Sequence, residues 1–295
     1  MIQVTKQMRI LMHKLPNLLI ANILGLLTLS LLIQSAFAQD SKSLFEDPNL
    51  ESTVRQYIFA KRNNTEAITK EELSNISTIK AKGKGIKSLK GLEHCINLAS
   101  FDAPSNEISD LTPLADMKRL QFLDVSDNNI SNIATLKTLK GLQYIELSKN
   151  SISDVSAISH CKAVTSLYLS NNKISDISPL LDLPKVWSLY LDGNELEDVI
   201  GIYKLKKLTT LSVRNNRIRD LSPIFGLSQL NNLFFDYNDI SDLGSLINIA
   251  AADRNGPNKF SMFLNISLEG NPLTFEARRY QIPELEKIIR KIYKK

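Results

Sequence analysis

A period of 22 residues runs through most of this 295-residue chain and constrains its fold more than any other feature of the sequence. Eight consecutive units begin with an aliphatic residue, at Ile76, Leu98, Leu120, Leu142, Val164, Val186, Leu208 and Leu230. Within each unit, apolar residues recur at 3, 5 and 10 positions after the first residue, with few exceptions. One unit cannot bury such an apolar face alone, whereas stacked units can, so the period predicts a solenoid of repeats.

Each repeat is expected to contribute one short strand. We number positions by their offset from the first residue of the repeat, and offsets +3 and +5 are apolar between mostly polar neighbours. That alternation is the period of two of a strand with one buried side. Equivalent strands one repeat apart should pair in parallel. Offsets +2, +4 and +6 should then face away from the core and form three columns on the open side of the sheet.

Two polar positions recur in the repeats and have structural explanations. Offset +8 is asparagine in Asn106, Asn128, Asn150, Asn172, Asn194, Asn216, Asn238 and, after an insertion, Asn271. An amide can donate to and accept from backbone groups where the strand turns away, so the column predicts a structural ladder. Offset +12 is an acid or amide in Asp110, Asn132, Asp154, Asp176, Asp198, Asp220 and Asp242, and these predict turn caps rather than metal ligands.

The repeated unit, LxxLxLxxNxIxDLxPLxxLxx, resembles the 22-residue leucine-rich repeats of bacterial internalins. The preceding segment resembles their helical cap, with Asp47-Pro48 beginning one helix and the capping-box pair Thr69 and Glu72 beginning another. The resemblance implies a leucine-rich-repeat solenoid with a curved parallel β-sheet on the concave face. It also implies short helical turns on the convex face, helical caps at both ends and protein binding at a surface.

The amino-terminal residues 1–38 have the layout of a secretory signal peptide. Three basic residues precede the apolar run 18–33, and Ala36 and Ala38 supply the small residues of a cleavage site. The chain is therefore expected to be secreted, reaching the periplasm, the cell surface or the medium. An uncleaved membrane anchor is the alternative, although the run is shorter than the ~20 residues of a bilayer span.

The rest of the chain divides into three parts. Residues 39–75 are expected to form the helical N-terminal cap, and 76–273 the repeats. The repeats comprise eight full units and a half-repeat from Phe263, with an insertion around 250–260 predicted as a protruding loop. Residues 274–295 are expected to form a C-terminal helical cap, because Leu285, Ile288, Ile289 and Ile292 have helical spacing. The basic residues of this tail could instead touch an anionic membrane.

Charge and residue usage argue against several function classes. Removing Lys6, Arg9 and Lys14 with residues 1–38 leaves 33 basic and 31 acidic residues, a net charge of +2, so nucleic-acid binding is not expected. The pairs His94-Cys95 and His160-Cys161 lie three repeats, or roughly 15 Å, apart. That distance excludes a shared zinc ion or a disulfide and predicts two buried free thiols. No residues suggest an active site or a cofactor, so the protein is not expected to be an enzyme.

The predicted binding surface is the outward side of the sheet. Phe122, Tyr144, Tyr168 and Tyr190 should run diagonally across four adjacent strands beside an acidic strip of Asp102, Asp124 and Glu146. The full set of predicted protein-binding residues is Phe122, Asp124, Tyr144, Glu146, Tyr168, Trp187, Tyr190, Arg214 and Phe234. Contiguous exposed aromatic residues with a polar rim are typical of interfaces, although rings can also stack only to stabilise a sheet.

The sequence therefore favours a secreted module that recognises a macromolecular partner, expected to be a protein, through the concave face. The alternative is a structural envelope protein that docks on membrane or cell-wall polymer through a basic C-terminal helix.

Overall fold

The structure is a computed structural model and describes residues 43–256 and 261–294. The predicted signal peptide, 1–38, lies outside the described residues, as does the beginning of the N-terminal cap. In the part of the chain that is described, no helix has the length and apolar character needed to cross a membrane.

One parallel sheet follows the order of the chain, with each strand beside its sequence neighbours. The strands are β1 Thr78–Lys80, β2 Ser100–Asp102, β3 Phe122–Asp124, β4 Tyr144–Glu146, β5 Ser166–Tyr168, β6 Ser188–Tyr190, β7 Thr210–Ser212, β8 Asn232–Phe234, β9 Asn265–Ser267 and β10 Lys291–Tyr293. From β1 to β8 each residue pairs with the one 22 positions later, as Leu123 does with Ile145. The predicted repeat register and leucine-rich-repeat solenoid are thereby confirmed.

The asparagine ladder is also confirmed, and it joins each repeat to the one before. The side chain of Asn172 accepts from the backbone N–H of Ile152, one repeat back, at 3.0 Å. Its amide nitrogen donates to the carbonyl of Leu147, also one repeat back, at 3.1 Å and to that of Leu169 at 3.0 Å. Equivalent bonds at the other ladder positions satisfy backbone groups that leave the strand and have no sheet partner.

From the first to the seventh repeat the chain returns from its strand through a short 3₁₀ turn on the convex side, and further 3₁₀ segments lie in the N-terminal cap and before β9. The 3₁₀ segments are Phe59–Lys61, Leu92–His94, Thr112–Leu114, Ala134–Thr138, Ser156–His160, Ser178–Leu180, Ile202–Lys204, Ser222–Ile224 and Ser261–Phe263. The residues at offset +12 begin the turns of the repeats, as predicted. Asp176, for example, accepts from the backbone N–H of Ser178 at 2.7 Å, and Asp220 accepts from that of Ser222 at 2.8 Å.

The N-terminal cap contains two helices and covers one edge of the sheet. Helix α1, Pro48–Arg55, is capped by Asp47, and helix α2, Lys70–Ser74, has the predicted capping box. The hydroxyl of Tyr57 accepts from the N–H of Lys80 on β1 at 2.7 Å and donates to its carbonyl at 3.1 Å. The cap thereby satisfies backbone groups that an edge strand would otherwise expose.

The C-terminal end departs from the prediction of a helix through the tail. A π-helical segment, Ala277–Gln281, continues into helix α4, Ile282–Leu285, but Lys291–Tyr293 form β10 and pair with β9. Pairing with the tail satisfies backbone N–H and C=O groups on the open edge of β9, and Ile292 packs against the core as a strand residue. The basic C-terminal helix on which the envelope-docking alternative depends is therefore not formed.

Part of the insertion that was predicted as a protruding loop is helical instead. That part belongs to helix α3, Gly244–Asn255, whose Leu246, Ile249 and Ala250 are buried, while residues 257–260 lie outside the described part. The half-repeat differs as well, because Phe263 is exposed and Leu264 takes the buried position before β9.

Apolar side chains from every repeat form one continuous core. Both cysteines are buried free thiols, as predicted. Burial raises the pKa of Cys161 to about 11, and burial together with the nearby Glu93 raises that of Cys95 to about 12. Across the described residues, no group of three or more His, Cys, Asp or Glu side chains could hold a metal ion.

Candidate functional site on the concave face

The concave face consists of the strand residues whose side chains point away from the core. In β2 to β6 the middle residue is fully buried and its two neighbours are half-buried. This pattern follows from the alternation of side chains along a strand, and it brings the residues at offsets +2 and +4 into two columns. The geometry places the predicted surface residues of neighbouring repeats side by side.

Four aromatic rings on this face form one continuous stack, which we call the ring column. The ring centroids of Phe122 and Tyr144 are 4.5 Å apart with nearly parallel planes, and those of Tyr168 and Tyr190 are 4.8 Å apart. Tyr144 and Tyr168 join the two pairs at 5.2 Å with a tilt of 39°. The separation of the rings matches the spacing of the strands, about 4.8 Å, so the sheet itself holds them in contact.

The ring column crosses the sheet diagonally. Phe122 and Tyr144 lie at offset +2, and Tyr168 and Tyr190 lie at offset +4, since Tyr168 pairs with Glu146 rather than with Tyr144. Stacked rings cover each other's faces, so the column presents mainly ring edges and tyrosine hydroxyls to solvent. A partner would therefore meet a rigid, amphipathic ridge.

Carboxylates lie beside the first half of the ring column. Asp102, Asp124 and Glu146 occupy the same offset on β2, β3 and β4 and pair in register. Burial raises the pKa of Glu146 and of Asp102, and the neighbouring Asp124 raises both further. Burial and the Glu146 carboxylate also raise the pKa of Tyr144 to about 12. The strip is thus a zone of mutually repelling negative charge, which a cation would stabilise.

Trp187 lies next to the second half of the column and is held by a hydrogen bond. Its indole Nε1 donates to the Ser166 hydroxyl at 2.9 Å, while 54% of the side chain remains exposed. A large exposed aromatic side chain with its polar group already satisfied offers contact area without an unpaired donor.

A second cluster surrounds Arg214, one strand beyond Tyr190. The Arg214 guanidinium lies 4.2 Å from the centroid of Phe234, and its Nε donates to Oδ2 of Asp236 at 2.7 Å. Asp236 is buried, and its Oδ1 also accepts from the Ser267 hydroxyl and from the backbone N–H of Glu269. The ion pair and the cation–π contact hold Arg214 in one orientation.

All nine predicted site residues therefore lie in two adjoining groups. The first group contains Phe122, Asp124, Tyr144, Glu146, Tyr168, Trp187 and Tyr190, and the second contains Arg214 and Phe234. The prediction missed Asp236, which fixes Arg214, and it assigned Lys291 and Tyr293 to a helix although they belong to β10. The alternation of Lys291, Ile292 and Tyr293 was the available signal for a strand.

The structure is similar to that of internalin C2 from Listeria monocytogenes, with 32% sequence identity and a TM-score of 0.66 over 70% of this chain and 91% of that chain. The chain belongs to the internalin family. A leucine-rich-repeat family model also matches residues 118–174 and 154–196 of this internalin-like chain. Internalin F from the same species is 22% identical, with a TM-score of 0.52 over 84% of this chain and 95% of that chain. No curated protein sequence matches significantly.

The same fold occurs in a plant peptide hormone receptor, RGFR1, in complex with RGF2. That receptor is 20% identical, with a TM-score of 0.51 over 61% of this internalin-like chain and 30% of the receptor. Leucine-rich-repeat proteins of these kinds typically mediate protein–protein interaction and are generally binding modules rather than enzymes.

Proposed function

We propose that the protein is a secreted binding module without enzymatic activity, and that it recognises a protein partner through the concave face. The observation that carries the proposal is the ring column with carboxylates along one side. Four half-buried aromatic side chains in unbroken contact form one continuous surface, and polar groups border it. Interfaces combine these two features, with aromatic anchors at the centre and a polar rim.

The rigidity of the column favours tight binding. Each ring is already fixed by its neighbours, so little side-chain entropy is lost when a partner covers it. Tyrosine and tryptophan are also the residues that most often dominate binding free energy at interfaces. We therefore assign most of the affinity to the rings from Tyr144 to Tyr190 and to Trp187.

The acidic strip gives the surface a preference for partners with basic residues. Asp102, Asp124 and Glu146 repel each other, and a cationic group of the partner would relieve that repulsion. The plant receptor RGFR1, which shares the fold and is in complex with RGF2, supplies an analogy for recognition by such a solenoid.

Secretion is supported by the sequence of residues 1–38. A signal peptide cut after Ala38 leaves Gln39 as the first residue of the mature protein. Intact-mass measurement of the exported protein tests this directly, and a mass that includes Met1 would favour a membrane anchor.

The experiment that tests the binding surface compares two tyrosine variants with the wild-type chain. A partner captured by the wild-type protein is purified, and its affinity for Tyr168→Ala and Tyr190→Ala is measured by calorimetry. Each substitution is expected to weaken binding by about 1–3 kcal/mol, the range of interface hot spots. Lys137→Ala on the convex side is the control and should bind normally. Normal binding by both tyrosine variants, together with early melting, would show that the rings only stabilise the sheet.

A further inference from the structure

On the convex side, residues at the same offset in different repeats can be compared to find which side chains the fold requires. Offsets +14 and +17 lie in the turns that return from the strands. In the first four repeats they are occupied by Lys90, Glu93, Thr112, Ala115, Ala134, Lys137, Ser156 and Ser159. None of these is a large apolar residue, so the fold itself needs no apolar side chain at either offset.

The sixth and seventh repeats break this pattern with large apolar side chains that remain in solvent. Ile200 is 68% exposed, Tyr203 is 45% exposed and Phe225 is 65% exposed. Leu181 in the fifth repeat also departs from the pattern, but the backbone of the next repeat covers it and it is buried. Burial within the chain therefore explains Leu181 and leaves the other three residues unexplained.

These residues border two adjoining hollows, which we call the convex groove. One, of about 470 Å³, has Ile200, Tyr203, Lys206, Phe225 and Gly226 in its lining. The other, of about 260 Å³, begins at Phe225 and Gly226 and continues to Leu227, Ser228, Ile249, Ala252 and Asp253. Gly226 adopts φ +90°, a conformation that favours glycine, and leaves this part of the floor without a side chain.

The chain itself shows what fits against this side of the solenoid. In the eighth repeat the short turn is replaced by helix α3, Gly244–Asn255, which buries Leu246, Ile249 and Ala250. The same helix supplies Ile249 and Ala252 to one wall of the groove. A second helix placed beside α3 would continue this layer over Phe225 and Ile200. An amphipathic helix in an apolar groove is also a common form of peptide recognition.

The charges around the groove indicate which helix would bind. Lys204, Lys206 and Lys207 follow one another in the turn of the sixth repeat, and all three are exposed. Within residues 43–256 and 261–294, none of them forms an ion pair. The acids of the same turns are already engaged, since Asp198 accepts from the N–H of Ile200 and Asp220 from that of Ser222. The three lysines therefore place positive charge at the Tyr203 end of the groove, and Asp253 lines the other end.

We propose that the convex groove is a second docking site, which binds an amphipathic helix of a partner protein with an acidic flank. The apolar face of that helix covers Ile200, Tyr203 and Phe225, and its carboxylates face Lys204, Lys206 and Lys207. This site lies on the opposite side of the solenoid from the ring column and does not depend on the function proposed above.

Two synthetic helical peptides of about 14 residues test the proposal. Both carry leucine and phenylalanine on one face, and the other face is glutamate in the first peptide and lysine in the second. Affinities for residues 39–295 are measured by fluorescence anisotropy. The glutamate peptide is expected to bind at least about tenfold more tightly than the lysine peptide, with a difference that shrinks at high salt.

Variants taken from the repeats themselves locate the binding. Ile200→Ser and Phe225→Ser introduce residues that stand at the same offsets in Ser156 and Ser159, so the fold should tolerate them. Their combination is expected to lower affinity for the glutamate peptide at least about tenfold. Tyr190→Ala, on the concave face, should leave that affinity unchanged.

Several results would overturn the proposal. One is no binding of the glutamate peptide, and another is equal binding of both peptides. Undiminished binding by the double variant would place the site elsewhere. Vesicles containing phosphatidylglycerol, and the oligomeric state of the free protein, are measured in parallel. Vesicle binding or self-association that the double variant abolishes would assign the groove to a membrane or to a second copy instead.

Discussion

Two columns of side chains run along the solenoid, and their difference separates what holds the fold from what is available for binding. The asparagine ladder lies inside and has one member in every repeat from the second onward, each with equivalent hydrogen bonds. The ring column lies outside, has four members, changes offset between Tyr144 and Tyr168, and ends at Tyr190. Both depend on the same strand spacing, but only the ladder repeats without change.

This contrast follows from how a solenoid is stabilised. Each repeat contacts only its neighbours, so whatever the fold requires is required equally in each repeat. A feature that is confined to a few repeats and is not buried in the chain is not required by the repeat and calls for another explanation. By this criterion we propose the ring column and the apolar residues Ile200 and Phe225 as binding surfaces, and the ladder and the turn caps as parts of the fold.

The largest expected effect is on stability, from a substitution within the ladder. Asn172→Ala leaves the N–H of Ile152 and the carbonyls of Leu147 and Leu169 without their side-chain partner in the interior. Such losses cost about 1–3 kcal/mol for each unsatisfied group, so we expect a decrease of several kcal/mol in the free energy of unfolding. Urea denaturation measures it. Asn129→Ala, at an exposed position two repeats earlier, is the control and should change stability little.

Asp236, at offset +6, could contradict the contrast between the two columns. It departs from the residues at the same offset in other repeats, and yet it stabilises the fold. Asp236 is buried and accepts from Arg214, from the Ser267 hydroxyl and from the N–H of Glu269. Asp236→Ala should lower the free energy of unfolding by about 2–4 kcal/mol, since it leaves a cation and a backbone donor unpaired. Ser148→Ala at the same offset is the matched control. An equal, small loss in both variants would show that the Arg214 cluster is not structural.

Sequence alone predicted the features that the repeat dictates. The strands, their register, the asparagine ladder, the turn caps and the separation of Cys95 from Cys161 all follow from one period. Residues outside the period were predicted less well. Leu285, Ile289 and Ile292 have helical spacing, yet Ile292 is a strand residue. The tail pairs with the open edge of β9, and the spacing of apolar residues carries no information about that edge.

The candidate site was predicted to a similar extent. The order of the rings could be read from the offsets, because strand spacing places neighbouring rings in contact. The role of Asp236 could not, because an aspartate among polar residues has many possible partners, and burial selects Arg214, Ser267 and Glu269 only in the folded chain. The period of the repeats therefore predicts which side chains lie in one column, such as the rings. Contacts between residues of different columns, such as Asp236 and Ser267, depend on the folded structure.

A smaller effect concerns the acidic strip and pH. Burial, with a contribution from Asp124, raises the pKa of Glu146 above its ordinary 4.5, so the folded state holds this proton more tightly than the unfolded state. Stability should therefore decrease as the pH rises from 4.5 through the raised pKa, and stay constant above it. Urea midpoints for Glu146→Gln should lack this part of the decrease. The exposed Glu195→Gln should follow the wild-type profile, and identical profiles for all three proteins would contradict the assignment.

The smallest effect is expected for the two cysteines, which should not react with thiol reagents in the native protein. Burial keeps Cys95 and Cys161 protonated, with pKa values of about 12 and about 11. A thiol reagent at about pH 8 should therefore modify neither residue in the native protein, because the thiolate is the reactive form. The unfolded, unreduced protein should give two thiols for each chain. Rapid labelling of the native protein would show that the core of these repeats opens far more easily than the ladder implies.

The central claim, that unvarying columns hold the fold while interrupted columns bind, is tested most directly by one crossed measurement. Asn172→Ala and the double variant Tyr168→Ser with Tyr190→Ser are each assayed for unfolding free energy and for affinity to the captured partner. The serines match Ser212 and Ser267, which stand at the same offset. If this claim is correct, the asparagine variant loses stability but, while folded, keeps its affinity. The tyrosine variant should lose affinity at least about tenfold and keep most of its stability. A tyrosine variant that binds normally but unfolds as readily as the asparagine variant would contradict it.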